Sequence, residues 1–118
     1  QRPVDGLLGG LWEFPGGKQE ADETLPETLQ RELAEELAIR VSVGPLFVKV
    51  KHAFTHFKIT LHAFECQYQG PEPPYDAPQA LEVADWRWVS DDALDQFSFG
   101  KADREVIRAL RERKNMLL

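Results

Sequence analysis

The spacing of apolar residues predicts a helix in the first third of the chain. Four leucines recur every four residues, which indicates a helix over residues 24–38 with one apolar face. These leucines are Leu25, Leu29, Leu33 and Leu37. Thr24 and Glu27 form the sequence signature of a capping box at the start of this helix, and Pro26 is tolerated in its first turn.

Alternating apolar and polar positions predict two strands after the helix. Residues 41–50 and 57–68 have this pattern, and residues 52–56 join them as a hairpin. A half-buried strand places every second side chain on the same face. In the second strand the alternating apolar residues are Phe57, Ile59, Leu61 and Ala63.

The remaining segments complete a mixed order of helices and strands. Residues 7–14 have the composition of a strand, and four prolines place residues 69–79 in a surface loop. Residues 84–90 predict a short strand with both of their tryptophans on one face. Ser90 is then the expected cap of a short helix, and residues 101–114 the final helix.

Length and composition predict one domain over residues 1–118. The abrupt start at Gln1 suggests the C-terminal part of a longer chain, with at least one preceding strand missing. The sequence contains no apolar run near the roughly 18 residues that span a membrane, so we expect no membrane association. The single cysteine, Cys66, excludes an internal disulfide or an iron–sulfur cluster held by this segment, and favours a cytoplasmic location.

The charge is unevenly distributed. A net charge of −6 argues against a general nucleic-acid binder, because phosphate neutralisation needs basic residues. Between Leu37 and Phe64, however, there is no Asp or Glu. This acid-free stretch contains Arg40, Lys49, Lys51, Lys58 and all three histidines. Such a stretch can offer a local surface to phosphate.

The predicted helix carries an unusual acidic cluster. Glu32, Glu35 and Glu36 stand three and four positions apart, so they share one helical face. A divalent metal such as Mg²⁺ would relieve their repulsion and take oxygen ligands from them. An isolated acidic pair would more simply be a solvated face, but here the cluster follows a glycine turn and a longer spaced pattern.

That pattern resembles the Nudix box, G-x5-E-x7-R-E-U-x-E-E-x-G-U, in which U is apolar. The matching residues are Gly17, Glu23, Arg31, Glu32, Leu33, Glu35, Glu36 and Ile39. The one departure is Ala38, where the family has glycine, so the loop after the helix is expected to differ.

The resemblance implies an α/β/α sandwich with a mixed sheet, here lacking its first strand or strands. It implies that Glu32, Glu35 and Glu36 bind metal, and that Gly17, Glu23 and Arg31 brace the loop. In a hydrolase, Glu35, Glu36 or a more distant acid would be the general base.

The flanking segments resemble the Nudix-like C-terminal domain of MutY-type adenine DNA glycosylases. The similarity covers residues 2–15, 52–66 and 86–107, and at the hairpin tip the family's Phe-Ser-His corresponds to Phe54-Thr55-His56. A hydroxyl both donates and accepts hydrogen bonds, so Thr55 could contact the edge of 8-oxoguanine. Phe54 offers a stacking surface, while Lys51 and Lys58 could contact phosphates. An ordinary hairpin, with Phe54 in the core, is the simpler alternative.

Two functions follow from these resemblances. The favoured one is a DNA-repair module that recognises 8-oxoguanine opposite adenine, joined to an upstream catalytic domain that would carry any iron–sulfur cluster. The alternative is a stand-alone, Mg²⁺-dependent Nudix hydrolase that cleaves an oxidised or normal nucleoside triphosphate or another nucleoside diphosphate derivative. A protein-interaction domain is a third class, but it would leave the acidic cluster and the basic hairpin unexplained.

Overall fold

The computed structural model describes residues 1–116, and its regular elements follow most of the predicted order. Among the helices of this range, none combines the length and apolar character that crossing a bilayer requires. The elements are helix α1 (Leu25–Leu37), strand β1 (Ile39–Ala53), strand β2 (Lys58–Pro71), a 3₁₀ helix (Asp91–Gln96) and helix α2 (Lys101–Met116).

Helix α1 begins with the predicted capping box. Thr24 Oγ1 accepts from the Glu27 backbone N–H at 3.2 Å, and Glu27 Oε1 accepts from the Thr24 backbone N–H at 2.8 Å. Both groups would otherwise be unpaired in the first turn. Leu33 is buried, and the other three leucines of the stripe are partly covered. The predicted helix and its apolar face are therefore confirmed.

The turn after α1 has the left-handed conformation that glycine would favour, although alanine occupies this position. Ala38 takes the left-handed conformation, with φ 54° and ψ 42°, and its backbone N–H donates to the carbonyl of Ala34. Its own carbonyl accepts from the backbone N–H of Glu72 at 2.7 Å. The expected change of the loop is therefore wrong, because tertiary contacts hold alanine in a conformation that usually favours glycine.

Strands β1 and β2 form the predicted antiparallel hairpin and extend beyond the predicted bounds. Val50 lies opposite Leu61, and Ala53 lies opposite Lys58. Register shifts interrupt the ladder between residues 40 and 48, and such irregularities bend and twist a strand. Phe57, predicted as the first strand residue, instead belongs to the turn and is 49% exposed.

Two predicted strands are not regular strands. Residues 7–10 form turns, and of the segment 7–14 only Trp12 makes a bridge, parallel to Phe99. Residues 84–90 contain no strand either, and Trp88 is 64% exposed. A strand needs a hydrogen-bonded neighbour, which local composition does not specify.

Both helices pack against β1, so the strand pair lies within a layered α/β architecture. The apolar core contains Leu33, Ala38, Ile39, Val50, Leu94, Val106 and Ile107. In the final helix Val106 and Ile107 are buried, while Leu110 is only partly buried. Within residues 1–116 the mixed character of the sheet is limited to the antiparallel pair and the parallel bridge at Trp12.

Candidate active site

Arg31 lies at the centre of the acidic region and is clamped by Glu23. Its Nε donates to Glu23 Oε2 at 3.0 Å and its Nη2 to Glu23 Oε1 at 2.7 Å, which makes the pair bidentate. Nη2 also donates to the carbonyl of Lys18 at 3.1 Å. These bonds join the loop before α1 to the middle of the helix.

The electrostatics of this pair favour both charged forms. Hydrogen bonds from Arg31, followed by the backbone N–H of Glu20, lower the pKa of Glu23 to about 2. Hydrogen bonds to Glu23, followed by those to Glu32, raise the pKa of Arg31 above its ordinary value. Both side chains of the pair are therefore ionised at neutral pH.

Arg31 also reaches two of the three clustered acids. Its Nη1 lies 2.8 Å from Glu32 Oε1 and 3.3 Å from Glu35 Oε2. The Glu32 side chain is only 15% exposed, whereas that of Glu35 is 50% exposed. The three acids share one side of α1, but they do not present themselves equally to solvent.

Glu36 is the most perturbed acid of the cluster. Burial is the main cause that raises its pKa to about 7, and the charges of Glu32 and Glu13 act in the same direction. A hydrogen bond between the carboxyl groups of Glu32 and Glu36 also raises it, while the backbone N–H of Gly16 lowers it. Glu36 therefore titrates near neutral pH in the metal-free protein.

Gly17 allows the loop backbone to approach Glu32. A Cβ atom at this position would collide with the Glu32 carboxylate, with Oε1 only 2.6 Å away. A side chain would therefore displace the acid. The glycine of the predicted turn is explained by this close approach and not by an unusual backbone angle.

The donor set fits a divalent cation of the Mg²⁺ type. Glu32, Glu35 and Glu36 offer carboxylate oxygens, which are the ligands that Mg²⁺ prefers in proteins. Within residues 1–116, no group of three His, Cys, Asp or Glu side chains is already arranged around one point.

Two acids outside the predicted site belong to its surroundings. Burial, followed by the charge of Glu13, raises the pKa of Asp103 to about 7, while Arg2 and the backbone N–H of Phe14 lower it. Glu13 itself is paired with Arg2 at 2.8 Å. Sequence reasoning missed both acids; the available signal was an acid between Trp12 and Phe14, immediately before the glycine turn.

The predicted lesion-binding residues gather at the hairpin tip. Thr55 and His56 are exposed, and the ring of Phe54 stacks on Phe57 at 4.6 Å and meets His52 edge-on at 4.5 Å. The exposed lysines 51 and 58 flank this tip on β1 and β2. In the described part of the chain, no hydrogen bond or ion pair joins the tip to the acids of α1.

A layered α/β domain in which an arginine-braced acidic helix follows a glycine turn is the class of protein that the fold and the site define. The model of one such family, described as NUDIX domain, matches residues 1–109. The chain therefore belongs to the Nudix family, as the sequence resemblance implied.

The similar proteins include nucleotide hydrolases and a glycosylase. An 8-oxo-dGTP diphosphatase of Proteus vulgaris is 48% identical over 64 residues, 54% of this chain and 57% of that protein. The CTP pyrophosphohydrolase of Escherichia coli K12 is 34% identical over 110 residues, 92% of this chain and 77% of that protein. The human adenine DNA glycosylase is 30% identical over 115 residues, which cover 92% of this chain but only 19% of the glycosylase. The chain thus spans little more than half of the Proteus relative.

Solved structures confirm the predicted fold class. The E. coli ORF135 protein superposes with a TM-score of 0.79 at 33% identity, covering 97% of this chain and 78% of that protein. The MutT protein of Methanosarcina mazei Go1 gives 0.75 at 28% identity, with coverages of 96% and 81%. Stand-alone hydrolases are matched over most of their length, so the comparisons favour the hydrolase interpretation over the glycosylase module.

Proposed function

We propose that this Nudix domain is a Mg²⁺-dependent pyrophosphohydrolase of nucleoside triphosphates, with an oxidised purine or a cytosine as the candidate base. The observation that carries the proposal is the acidic cluster of α1, braced by the Arg31–Glu23 pair. The names of the relatives support it, because they include 8-oxo-dGTP diphosphatases and a CTP pyrophosphohydrolase. A cytoplasmic location belongs to the same proposal.

The proposed reaction adds water across a phosphoanhydride bond, releasing a nucleoside monophosphate and pyrophosphate without any redox partner. Glu32, Glu35 and Glu36 would hold the metal, which when bound neutralises phosphate charge and makes water more acidic. Arg31 keeps Glu32 and Glu35 oriented while Glu23 holds the arginine. Glu35 and Glu36 are the candidates for accepting the proton of the attacking water.

Asp103 is the candidate residue for contacting the base. Its carboxyl group has a pKa of about 7, so near neutral pH it can both donate and accept a hydrogen bond. It lies close to the backbone of Phe14, whose ring stacks on Phe99 at 5.5 Å. The charge of Glu13 raises the pKa of both Asp103 and Glu36. This shared influence supports a position of Asp103 near the acidic cluster.

The direct test is pyrophosphate release from 8-oxo-dGTP, dGTP, CTP and dCTP, with and without Mg²⁺. Glu35→Gln or Glu36→Gln should reduce kcat by about two to four orders of magnitude, because each removes a ligand or a base. Glu112→Gln, at an exposed position of α2, is the matched control and should keep full activity. Absence of release from all four substrates would contradict the proposed function.

A lesion-recognition module of an adenine DNA glycosylase is the second candidate. The observation that favours it is the exposed tip at Thr55 and His56, together with the match to the human glycosylase over most of this chain. DNA containing 8-oxoguanine and an upstream catalytic domain would then be the partners. Lys51 and Lys58 would position the DNA backbone, and Thr55 would contact the base.

Its test uses the full-length protein and duplexes that differ only in 8-oxoguanine or guanine. Thr55→Ala should reduce the preference for the lesion by about 0.5–1.5 kcal/mol, the net contribution of one hydrogen bond. Lys51→Ala and Lys58→Ala should weaken binding to both duplexes equally and reduce its salt dependence. Unchanged binding in all three variants would show that the hairpin does not contact DNA.

A further inference from the structure

Thr28 is a buried polar residue beside the arginine clamp. Its relative exposure is 5%, and it lies one turn after the helix cap on α1. Its hydroxyl oxygen is 2.8 Å from Glu23 Oε1 and 3.0 Å from the carbonyl oxygen of Thr24. Neither the Nudix pattern nor the mechanism above gives this residue a role.

One hydroxyl proton cannot serve both acceptors fully. Within helices, threonine commonly donates to the carbonyl four positions earlier, which here is that of Thr24. The Glu23 carboxylate is the nearer acceptor and carries a full negative charge, and hydrogen bonds to charged acceptors are the stronger ones. Geometry and charge therefore both favour donation to Glu23.

This donor completes the set of contacts that orients Glu23. Oε1 accepts from Thr28, from Arg31 Nη2 at 2.7 Å and from the backbone N–H of Glu20 at 2.8 Å. Oε2 accepts from Arg31 Nε. The remaining Arg31 nitrogen, Nη1, contacts Glu32 and Glu35. A displacement of Glu23 would thus be transmitted through the rigid guanidinium to two acids of the candidate site.

We propose that Thr28 is a positioning residue: its hydroxyl fixes the Glu23 carboxylate, and through it the Arg31 guanidinium that contacts Glu32 and Glu35. The part of this inference that concerns metal affinity rests on the proposed function. The part that concerns the orientation of Glu23 does not, so the two can fail separately.

The first measurement is the titration of the Glu23 side-chain carboxyl by ¹³C NMR in metal-free protein. Thr28→Val keeps the shape of the side chain but removes the hydroxyl, so the titration midpoint should rise by a small part of its total displacement, because the contacts with Arg31 and Glu20 remain. Thr28→Ser should retain the low midpoint. Thr60→Val, on the exposed side of β2, is the matched control and should leave Glu23 unchanged. If Thr28→Val folds poorly, Thr28→Ala provides the same deletion in a good helix former.

The second measurement is Mn²⁺ binding, followed by water-proton relaxation. Loss of the hydroxyl should weaken Mn²⁺ binding by about three- to tenfold, the effect of one net hydrogen bond, and Thr28→Ser should restore it. A Glu23 midpoint that is the same in Thr28→Val and the unchanged protein would overturn the proposal, whatever happens to Mn²⁺. If the unchanged protein binds no Mn²⁺, the proposed function fails, and the Glu23 titration still decides the role of Thr28.

Discussion

At the scale of single residues, the site depends on how closely the loop backbone approaches the acidic helix. The backbone at Gly17 closely approaches the Glu32 carboxylate, and Arg31 Nη1 donates a hydrogen bond to the same carboxylate. Sequence spacing could predict that Glu32, Glu35 and Glu36 share a helix face. It could not predict that Glu32 is mostly covered while Glu35 remains half exposed, because exposure depends on the loop packed against them.

Gly17→Ala should therefore damage the site more than the fold. The atom in the way of a new methyl group is the end of a flexible side chain, so Glu32 can move aside and the cost in stability should stay below about 1 kcal/mol. The displaced Glu32 should reduce kcat/KM by about tenfold or more, because catalysis is sensitive to shifts of about 1 Å. The measurements are pyrophosphate release and thermal unfolding.

Gly6→Ala is the matched control for this substitution. The nearest atom to its new methyl group would be the Pro3 carbonyl oxygen at 3.7 Å, an ordinary contact. This variant should retain activity. A Gly17→Ala protein with normal kcat/KM would show that the position of Glu32 is unimportant for the reaction.

At the scale of secondary-structure elements, the sequence predicted those helices and strands that are stabilised by contacts between residues close in the chain. The capping box of Thr24 and Glu27 lies within one turn of helix, and the β1–β2 hairpin joins neighbouring segments. The prediction of a strand around Trp12 was wrong because the bridge partner of Trp12, Phe99, lies far along the chain. The same reason explains why Asp103 was missed: its pKa is raised by tertiary burial, which sequence spacing does not specify.

The turn at Ala38 gives a test at this scale. Replacing Ala38 by glycine relieves a left-handed strain of about 1 kcal/mol, but it also removes a buried methyl group worth about 0.8 kcal/mol. Ala38→Gly should therefore change the free energy of unfolding by less than about 1 kcal/mol. Ala38→Val should destabilise by about 2 kcal/mol or more, since a β-branched residue is a steric outlier there.

Chemical denaturation of the unchanged protein, Ala38→Gly and Ala38→Val measures these differences in the free energy of unfolding. Ala53→Val is the control, because Ala53 is exposed at the end of β1, where a β-branched residue is favourable. If Ala38→Val were as stable as the unchanged protein, the left-handed turn would not be present in solution.

At the scale of the whole molecule, the balance of charge links stability to pH. The protein has a net charge of −6, and part of this charge is concentrated where Glu13, Glu36 and Asp103 influence one another. Glu36 and Asp103 both have a pKa of about 7 in the folded protein, above their ordinary values of 4.5 and 3.8. Between these values the folded state binds more protons than the unfolded state, so stability must fall as pH rises.

We expect the metal-free protein to lose thermal stability between about pH 4 and pH 7, and Asp103→Asn to remove part of this loss. The variant carries no charge at this position at any pH, so its advantage over the unchanged protein should grow with pH and reach about 3–6 °C in Tm at pH 8. Asp76→Asn, in the exposed proline-rich loop, is the control and should show no such growth. Adding Mg²⁺ at pH 8 should stabilise the unchanged protein and Asp103→Asn, but stabilise Glu36→Gln less, because only the last lacks a proposed ligand. Parallel Tm curves for Asp103→Asn and the unchanged protein from pH 4 to pH 8 would contradict the raised pKa of Asp103.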